Sequence, residues 1–351
     1  MSAFMIKAND AKNFVFFSPA TKGGSGKPVK INAALLPKFI SLVDPKSHDG
    51  QMIIRHIQGL SAKAGQAGSM QNMNNAFAHM DSVKHVQIFY RIMQLDANSP
   101  VGVYITDLRY GVSGDDMKPG LYMVNMNSGP KPLNAVKLSG TKIAINGQSE
   151  DLKSASDSAL ELTSSSSAIL FYNPSAVVNE LGIWSDSAQR TNKTLLATEM
   201  LSKVLVENQN RDNTLEWYVE GEGTELLGRA LAKVKGELTK FKFHFIDPIG
   251  DTTSALNLLK TKKAQLATEV VKYTGKRAST VSLLTQRSQL ASVIKSLVSS
   301  GHPLYQDREK SVAKLMTGTS TKAAQYSGAV NTIKGGQVTF TDALRQLQGI
   351  V

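Results

Sequence analysis

The chain has 351 residues, with 40 Lys and Arg against 28 Asp and Glu, a formal net charge of +12, and 41% hydrophobic residues. It contains no cysteine, which excludes disulfides, a thiolate nucleophile and zinc–thiolate sites. The six histidines do not show the spacing of a zinc site, so we expect neither a metal nor another cofactor. A chain of this length can form one large domain or two.

The first residues, 1–7, lack the charged and apolar regions of a cleavable signal peptide. No apolar run approaches the roughly 18 residues needed to cross a bilayer. We therefore expect a protein that is cytoplasmic, or exported without a cleavable signal peptide, and that does not span a membrane.

The charge is unevenly distributed along the chain. Residues 252–351 carry 14 Lys and Arg against 4 Asp and Glu, so +10 of the total of +12 lies in this segment. This excess predicts a surface for an anion, with Lys262, Lys263, Lys276 and Arg277 as candidate contacts. The alternative is a solvated, Lys-rich helical surface, because no aromatic residues alternate with the basic ones and no nucleic-acid-binding module is recognisable.

Residues 1–98 show the patterns of a mixed α/β region. The predicted elements are a strand at 14–17 and helices at 33–44, 50–61 and 82–95. The segment 63–80 is rich in Ala, Gly, Gln, Asn and Met, which is compatible with a flexible connection or a loosely packed helix.

Residues 99–305 alternate between strand and helix patterns. Strands are predicted at 101–106, 120–125, 142–146, 168–172, 215–219 and 242–246, and helices at 149–162, 194–207 and 224–239. Strands that alternate with helices of 12 or more residues favour parallel βαβ units, hence an α/β fold with a mostly parallel sheet flanked by helices. After Asp251 the chain is predicted to be helical at 252–274, 278–299, 306–316 and 340–349, and residues 306–351 form a basic helical tail.

Ligands of open α/β sheets bind beyond the carboxyl ends of the strands, so the loops at these ends are the candidate sites. The most informative loop is 220–223, Glu-Gly-Glu-Gly, which joins a predicted strand directly to a predicted helix. Small residues at such a junction allow strand and helix to approach closely, as in a nucleophile elbow. A catalytic elbow carries a nucleophile such as serine at its tip, whereas this one carries glycine and glutamate.

The order of several motifs resembles a family. Ile-Asn-Gly at 145–147 is followed by Phe-Tyr-Asn-Pro-Ser at 171–175, a Leu-rich helix and the strand–elbow–helix at 215–239. This order is similar to bacterial α/β-hydrolase-fold proteins found among secreted toxins and effectors, whose pattern runs N-G, then Y-N-P, then H-S-Q-G, with a late histidine. The resemblance covers about residues 100–305 and implies an α/β-hydrolase-like domain there.

The resemblance also assigns roles. Asn146 and Gly147 match the loop that helps to form an oxyanion hole. Gly221 takes the position of the nucleophilic serine. Glu220 and Glu222 replace the histidine and glutamine on either side of it.

The remaining members of a catalytic triad would come from later loops. Asp247 or Asp251 matches the acid, and His302 lies near the expected position of the histidine. Asp251 is also suited to cap a helix that begins at Thr252. Glycine offers no oxygen to attack a carbonyl, and a histidine base without a nucleophile has nothing to activate.

Three functions are compatible with these residues. The favoured hypothesis is a hydrolase-like protein that has lost its nucleophile and acts in binding, structure or assembly. The second is an esterase or lipase with a non-standard nucleophile, for which Glu222, His302 and Asp247 are the candidates. The third is a binder of nucleic acid or of an anionic membrane through the C-terminal helices. The partner is left open between another protein, an anionic surface, a nucleic acid and a second copy of the chain.

Overall fold

A computed structural model of the protein describes residues 12–23, 26–66, 78–84, 86–94, 100–110, 118–147, 149, 151–174, 183–299 and 308–351. The strands are Phe14–Phe16 (β1), Val29–Asn32 (β2), Ala78–Val83 (β3), Val86–Met93 (β4), Gly102–Tyr110 (β5), Gly120–Asn125 (β6), Ser128–Pro132 (β7), Lys142–Ile145 (β8), Ser167–Tyr172 (β9), Leu215–Glu220 (β10), Phe241–Ile246 (β11) and Gln265–Lys272 (β12). The α-helices are Ala20–Gly23 (α1), Leu36–Leu42 (α2), His48–Gln66 (α3), Leu152–Thr163 (α4), Ile183–Glu207 (α5), Gly223–Lys233 (α6), Thr252–Thr261 (α7), Arg277–Ser299 (α8), Arg308–Gly318 (α9), Ser320–Lys334 (α10) and Phe340–Leu347 (α11).

The predicted α/β class is confirmed, and the chain forms two compact units. Unit 1 consists of Met1–Gly111 together with Ser320–Val351, and unit 2 of Val112–Thr319. The last two helices, α10 and α11, therefore belong to the same unit as the N-terminal residues. Within the described residues, no helix is both long enough and apolar enough to cross a bilayer.

Unit 1 is built on a mixed five-stranded sheet in the order β1-β2-β5-β4-β3, in which only β2 and β5 are parallel. Its two sequence segments are joined through an aromatic cluster. The ring of Phe340, at the start of α11, stacks on Phe17 with 5.9 Å between centroids and meets Phe39 edge-on at 5.2 Å. All three side chains are fully buried.

Unit 2 is built on a seven-stranded sheet in the order β12-β11-β10-β8-β9-β6-β7. The five strands from β12 to β9 run parallel, and β6 and β7 form an antiparallel hairpin at one edge. Alternate residues of β10 and β11 point to opposite faces, since this is the geometry of a strand. One face buries Trp217, Phe241, Phe243 and Phe245 in the main core.

The other face of the same strands is polar and half-buried. His244 stacks on Tyr218, with ring centroids 4.4 Å apart, and the Tyr218 hydroxyl donates to Glu216 at 2.9 Å. His244 therefore lies on the face of β11 opposite the buried Phe243 and Phe245.

The helix predicted at 82–95 is wrong. Residues 86–93 form β4, which pairs with β3 on one side and with β5 on the other. The segment is rich in β-branched and aromatic residues, and two neighbouring strands satisfy its backbone hydrogen bonds, so pairing outweighs the helical spacing of its apolar side chains.

The continuous helix predicted at 252–274 is also wrong. Helix α7 ends at Thr261, Lys263 adopts a left-handed backbone conformation with φ 55°, and β12 begins at Gln265. β12 adds to the sheet beside β11, and this pairing buries Val270 and Val271. Helix α10 was not predicted, and the strand predicted at 101–106 lies in unit 1 rather than with the parallel sheet.

Candidate functional site

The parallel sheet of unit 2 reverses its order of winding at β8. From β8 the chain moves to β9 on one side, then returns to β10 on the other side and continues outward to β11 and β12. The carboxyl ends of β8 and β10 therefore diverge into loops on opposite sides, which creates the crevice where open α/β sheets bind ligands. A cleft of about 180 Å³ opens at this position.

The cleft is lined by residues from three loops and one helix start. They come from the turns after β8, β10 and β11 and from the first residues of α8. The predicted site residues Gly147, Gly221, Glu222, Asp247 and Lys276 all lie in this lining.

The turn between β10 and α6 has the compact form expected of an elbow. Gly221 adopts φ 51°, a left-handed conformation that glycine tolerates readily. Its N–H donates to the carbonyl of Ile246 at 3.1 Å, and its own carbonyl accepts from the N–H of Ile249 at 3.0 Å. The tip of the elbow is therefore fixed to the β11 loop through its backbone.

Glycines also bring the β8 loop against this elbow. A Cβ atom at Gly147 would lie 3.0 Å from the Cα of Gly221, and a Cβ atom at Gly223 would lie 2.9 Å from the carbonyl oxygen of Asn146. Both distances are shorter than an ordinary carbon contact, so a larger residue would push the two loops apart.

Asn146 holds the loop after β8 in place through hydrogen bonds of its side chain. Its side chain is buried, its amide donates to the carbonyl of Asn173 at 3.0 Å, and its Oδ1 accepts from the N–H of Asn173 at 2.8 Å. These bonds join the loop after β8 to the loop after β9. Of the two residues predicted for the oxyanion hole, Gly147 lines the cleft and Asn146 ties the loops together.

Asp247 is buried, with 2% of its surface exposed, and its backbone adopts φ 46°. Its Oδ1 accepts from the N–H of Thr274 at 2.8 Å and from the hydroxyl of Ser279 at 2.8 Å. Its Oδ2 accepts from the hydroxyl of Thr274. Burial, together with the charge of Asp247, raises the pKa of the neighbouring Tyr273 above its usual range.

Glu220 and Lys276 form an ion pair at the cleft. Lys276 Nζ lies 2.6 Å from Glu220 Oε1, and the hydroxyl of Ser158 donates to Glu220 Oε2 at 2.8 Å. Partial burial lowers the pKa of Lys276, but the hydrogen bond and charge of Glu220, with the charge of Asp247, outweigh it and raise that pKa above its ordinary value. Lys276 is therefore protonated at neutral pH and forms an ion pair with Glu220.

The four basic residues predicted to bind an anion do not form one cluster. Lys262 and Lys263 precede β12, whereas Lys276 and Arg277 follow it. An eight-residue strand spans roughly 26 Å, so the two pairs lie near opposite ends of the sheet. Lys262 Nζ also donates to the carbonyl of Val234 at 2.6 Å, and Lys263 pairs with Glu237.

His302 lies outside the residues that the structure describes. Among those it does describe, no group of three His, Asp or Glu side chains is arranged to hold a metal ion. Two partners in the site were missed from the sequence, Ser158 and Ser279, each of which binds a carboxylate of the cleft. No local motif marks either serine, because both meet their partners only after the sheet has formed.

Comparisons with protein-family models, with curated proteins and with solved structures find no match for this chain.

Proposed function

We propose that unit 2 is an α/β-hydrolase-like module that binds a small molecule in the cleft between β8 and β10 without hydrolysing it. The observation that carries this proposal is Gly221. It occupies the tip of a tight strand-to-helix turn at the reversal point of the sheet. α/β-Hydrolases carry their nucleophilic serine at the tip of such a turn. A glycine there preserves the turn and removes the attacking oxygen.

The hydrogen bonding of Asp247 supports the same proposal. In a Ser-His-Asp triad the carboxylate must accept a hydrogen bond from the histidine and orient it. A carboxylate has about four lone-pair positions, and three donors from Thr274 and Ser279 already bind Asp247. Its role in this arrangement is to hold the start of α8 against the β11 loop.

The charges of the cleft indicate the class of ligand. The described lining holds three carboxylates, those of Glu220, Glu222 and Asp247, and one ammonium, that of Lys276. Lys276 is paired with Glu220, so the net charge of the lining is negative. We therefore expect a neutral or cationic ligand that donates hydrogen bonds, such as an amine, rather than an anion.

The second candidate is an ester hydrolase that uses Glu222 as its nucleophile. It is favoured by the position of Glu222, which follows Gly221 directly and lines the same cleft. The carboxylate would attack the ester carbonyl, break its bond to the alcohol oxygen, release the alcohol and hold the acyl group as a mixed anhydride, which water must then hydrolyse.

The test compares hydrolysis of p-nitrophenyl acetate by the wild-type protein, Gly221→Ser, Gly221→Ala and Glu222→Gln. The same four proteins are treated with a fluorophosphonate probe that labels activated serines. We expect the wild type, Gly221→Ala and Glu222→Gln to give no turnover above buffer and no labelling. Labelling of Gly221→Ser alone would identify residue 221 as the elbow position of a hydrolase-like site.

Turnover by the wild type would contradict the proposal. If that turnover were lost in Glu222→Gln and kept in Gly221→Ala, the carboxylate hydrolase would replace it. Gly221→Ala separates loss of glycine flexibility from gain of a hydroxyl, because it changes the backbone preference of the turn without adding an oxygen.

A further inference from the structure

Unit 1 contains a second cleft, of about 360 Å³, between one face of α3 and one face of α11. The two helices present the same order of side chains, a polar residue, an aliphatic residue, an arginine and a glutamine, at positions i, i+3, i+4 and i+7. These are Gln51, Ile54, Arg55 and Gln58 on α3, and Thr341, Leu344 and Arg345 on α11 with Gln348 at the C-cap of that helix. Residues with this spacing share one face of a helix, so two matching faces form the walls.

The wall formed by α11 is held firmly in place. The buried ring of Phe340 lies between Phe17 and Phe39, and the N–H of Thr341 donates to the carbonyl of Phe17 at 2.9 Å. The helix begins with a capping box, in which the side chains of Thr339 and Asp342 satisfy each other's backbone N–H groups. The arginine on this wall is thus carried by an anchored helix.

The cleft is rich in hydrogen-bond donors and carries positive charge. Arg55 and Arg345 line it from opposite walls, and none of the described residues that line it is Asp or Glu. Among the described residues, the guanidinium of Arg345 makes one hydrogen bond, from Nη1 to Asp342 Oδ1 at 2.9 Å, which leaves its other N–H groups for a ligand. Within the part of the chain that the structure describes, the side chain of Arg55 forms no ion pair or hydrogen bond.

We propose that this cleft binds a small organic anion, a phosphate or carboxylate group joined to an apolar body. The planar fork of arginine matches both groups and binds them through two parallel hydrogen bonds. Gln58 and Gln348 add neutral amide donors beside the arginines, while the partly exposed Ile54 offers apolar surface for the body of the ligand. The volume lies in the lower part of the range for small-molecule pockets, which disfavours a large polymer.

The test uses phenyl phosphate and benzoate as probes, with benzyl alcohol as the neutral counterpart of the same size. Binding to the full-length protein is measured by isothermal titration calorimetry, for the wild type, Arg55→Gln, Arg345→Gln and the double variant. Lys334→Gln is the matched control, because it removes one positive charge from an exposed position at the end of α10 in the same unit. Circular dichroism melting checks that each variant is folded.

We expect saturable binding of at least one anion and no binding of benzyl alcohol. Each single arginine variant should weaken binding about tenfold, since a hydrogen bond to a charged group is lost, and Lys334→Gln should change it less than twofold. A preference for phenyl phosphate or for benzoate identifies which anion the site takes. Absence of saturable binding of both anions at millimolar concentration, or equal binding by the double variant, would overturn the proposal. Neither result bears on the cleft of unit 2, which has its own lining and its own probe.

Discussion

The two units form their clefts in different ways. In unit 2 the cleft lies where successive βα turns meet at one edge of a parallel sheet, and glycine backbones bring its loops into contact. In unit 1 the cleft lies between α3 and α11, which are nearly 300 residues apart in sequence, and an aromatic cluster packs α11 against Phe17 and Phe39. The lining is acidic in the cleft of unit 2 and basic in the cleft of unit 1. The position of the cleft in unit 2 therefore follows from sheet topology, whereas the position of the cleft in unit 1 follows from side-chain packing between distant segments of the chain.

The largest expected effect comes from removing the aromatic cluster of unit 1. Phe340→Ala deletes a fully buried ring and should lower the free energy of unfolding of unit 1 by about 3 to 5 kcal/mol. Denaturant unfolding gives the magnitude, and amide hydrogen exchange locates it in β1, β2 and α11. Gln346→Ala, at an exposed position of the same helix, is the control and should change little. A loss below about 1 kcal/mol would mean that α11 is held by other contacts.

The next effect tests the buried carboxylate of unit 2. Asp247→Asn still tolerates the left-handed backbone conformation at this position. It replaces one accepting carboxylate oxygen by an amide NH₂ group, which cannot accept from the donors around it. We expect a loss of about 2 kcal/mol in the free energy of unfolding, because hydrogen bonds to a buried charge are removed. Chemical denaturation of unit 2 measures it.

Asp251→Asn is the matched control for this substitution. Asp251 caps α7 by accepting from the N–H of Ser254 at 2.9 Å, which confirms the cap predicted from the sequence. Asparagine caps helices as well as aspartate does, so this change should cost less than about 1 kcal/mol. Equal losses for the two variants would show that Asp247 has no special role in the cleft.

A smaller effect on stability should distinguish two glycines of α6, Gly223 and Gly228. Gly223→Ala would place its Cβ 2.9 Å from the carbonyl oxygen of Asn146, which should destabilise unit 2 by about 1 to 3 kcal/mol. The Cβ of Gly228→Ala would lie 3.9 Å from its nearest neighbour, Ala255, and should stabilise the helix by about 0.5 to 1 kcal/mol. Thermal unfolding of both variants checks the opposite signs. The same sign in both would argue against tight contact between the β8 loop and the elbow.

The smallest effect concerns the response of unit 2 to pH. Burial lowers the pKa of His244, and the nearby charge of Glu216 offsets this only in part, with Tyr218, Lys242 and Lys142 as the other titratable groups around it. The unfolded histidine titrates near 6.5 and so binds more protons than the folded one as the pH falls below that value. The free energy of unfolding should therefore decrease between about pH 6.5 and the lower pKa of the folded state.

The variant His244→Phe keeps a ring against Tyr218 and removes the titration. Its stability should fall less steeply than that of the wild type when unfolding is measured at about pH 7.5, 6.5 and 5.5. His48→Gln is the control, because His48 is exposed at the start of α3. An unchanged slope in His244→Phe would assign the pH response to other groups.

The sequence by itself determined the α/β class, most strands of the parallel sheet, the compact turn at 220–223 and the cap at Asp251. These features rest on local signals, namely side-chain alternation, glycine placement and capping chemistry. Each signal is carried by residues that are close together in sequence, so it can be recognised before the tertiary structure is known. Only the tertiary structure decided that residues 86–93 and 265–272 are strands, because their conformation depends on neighbours that supply backbone hydrogen bonds. The tertiary structure also decided which side chains meet in the two clefts, because these residues are far apart in sequence and come together only when sheets and helices pack. The pairs are Ser279 with Asp247, Lys276 with Glu220, and Arg345 opposite Arg55.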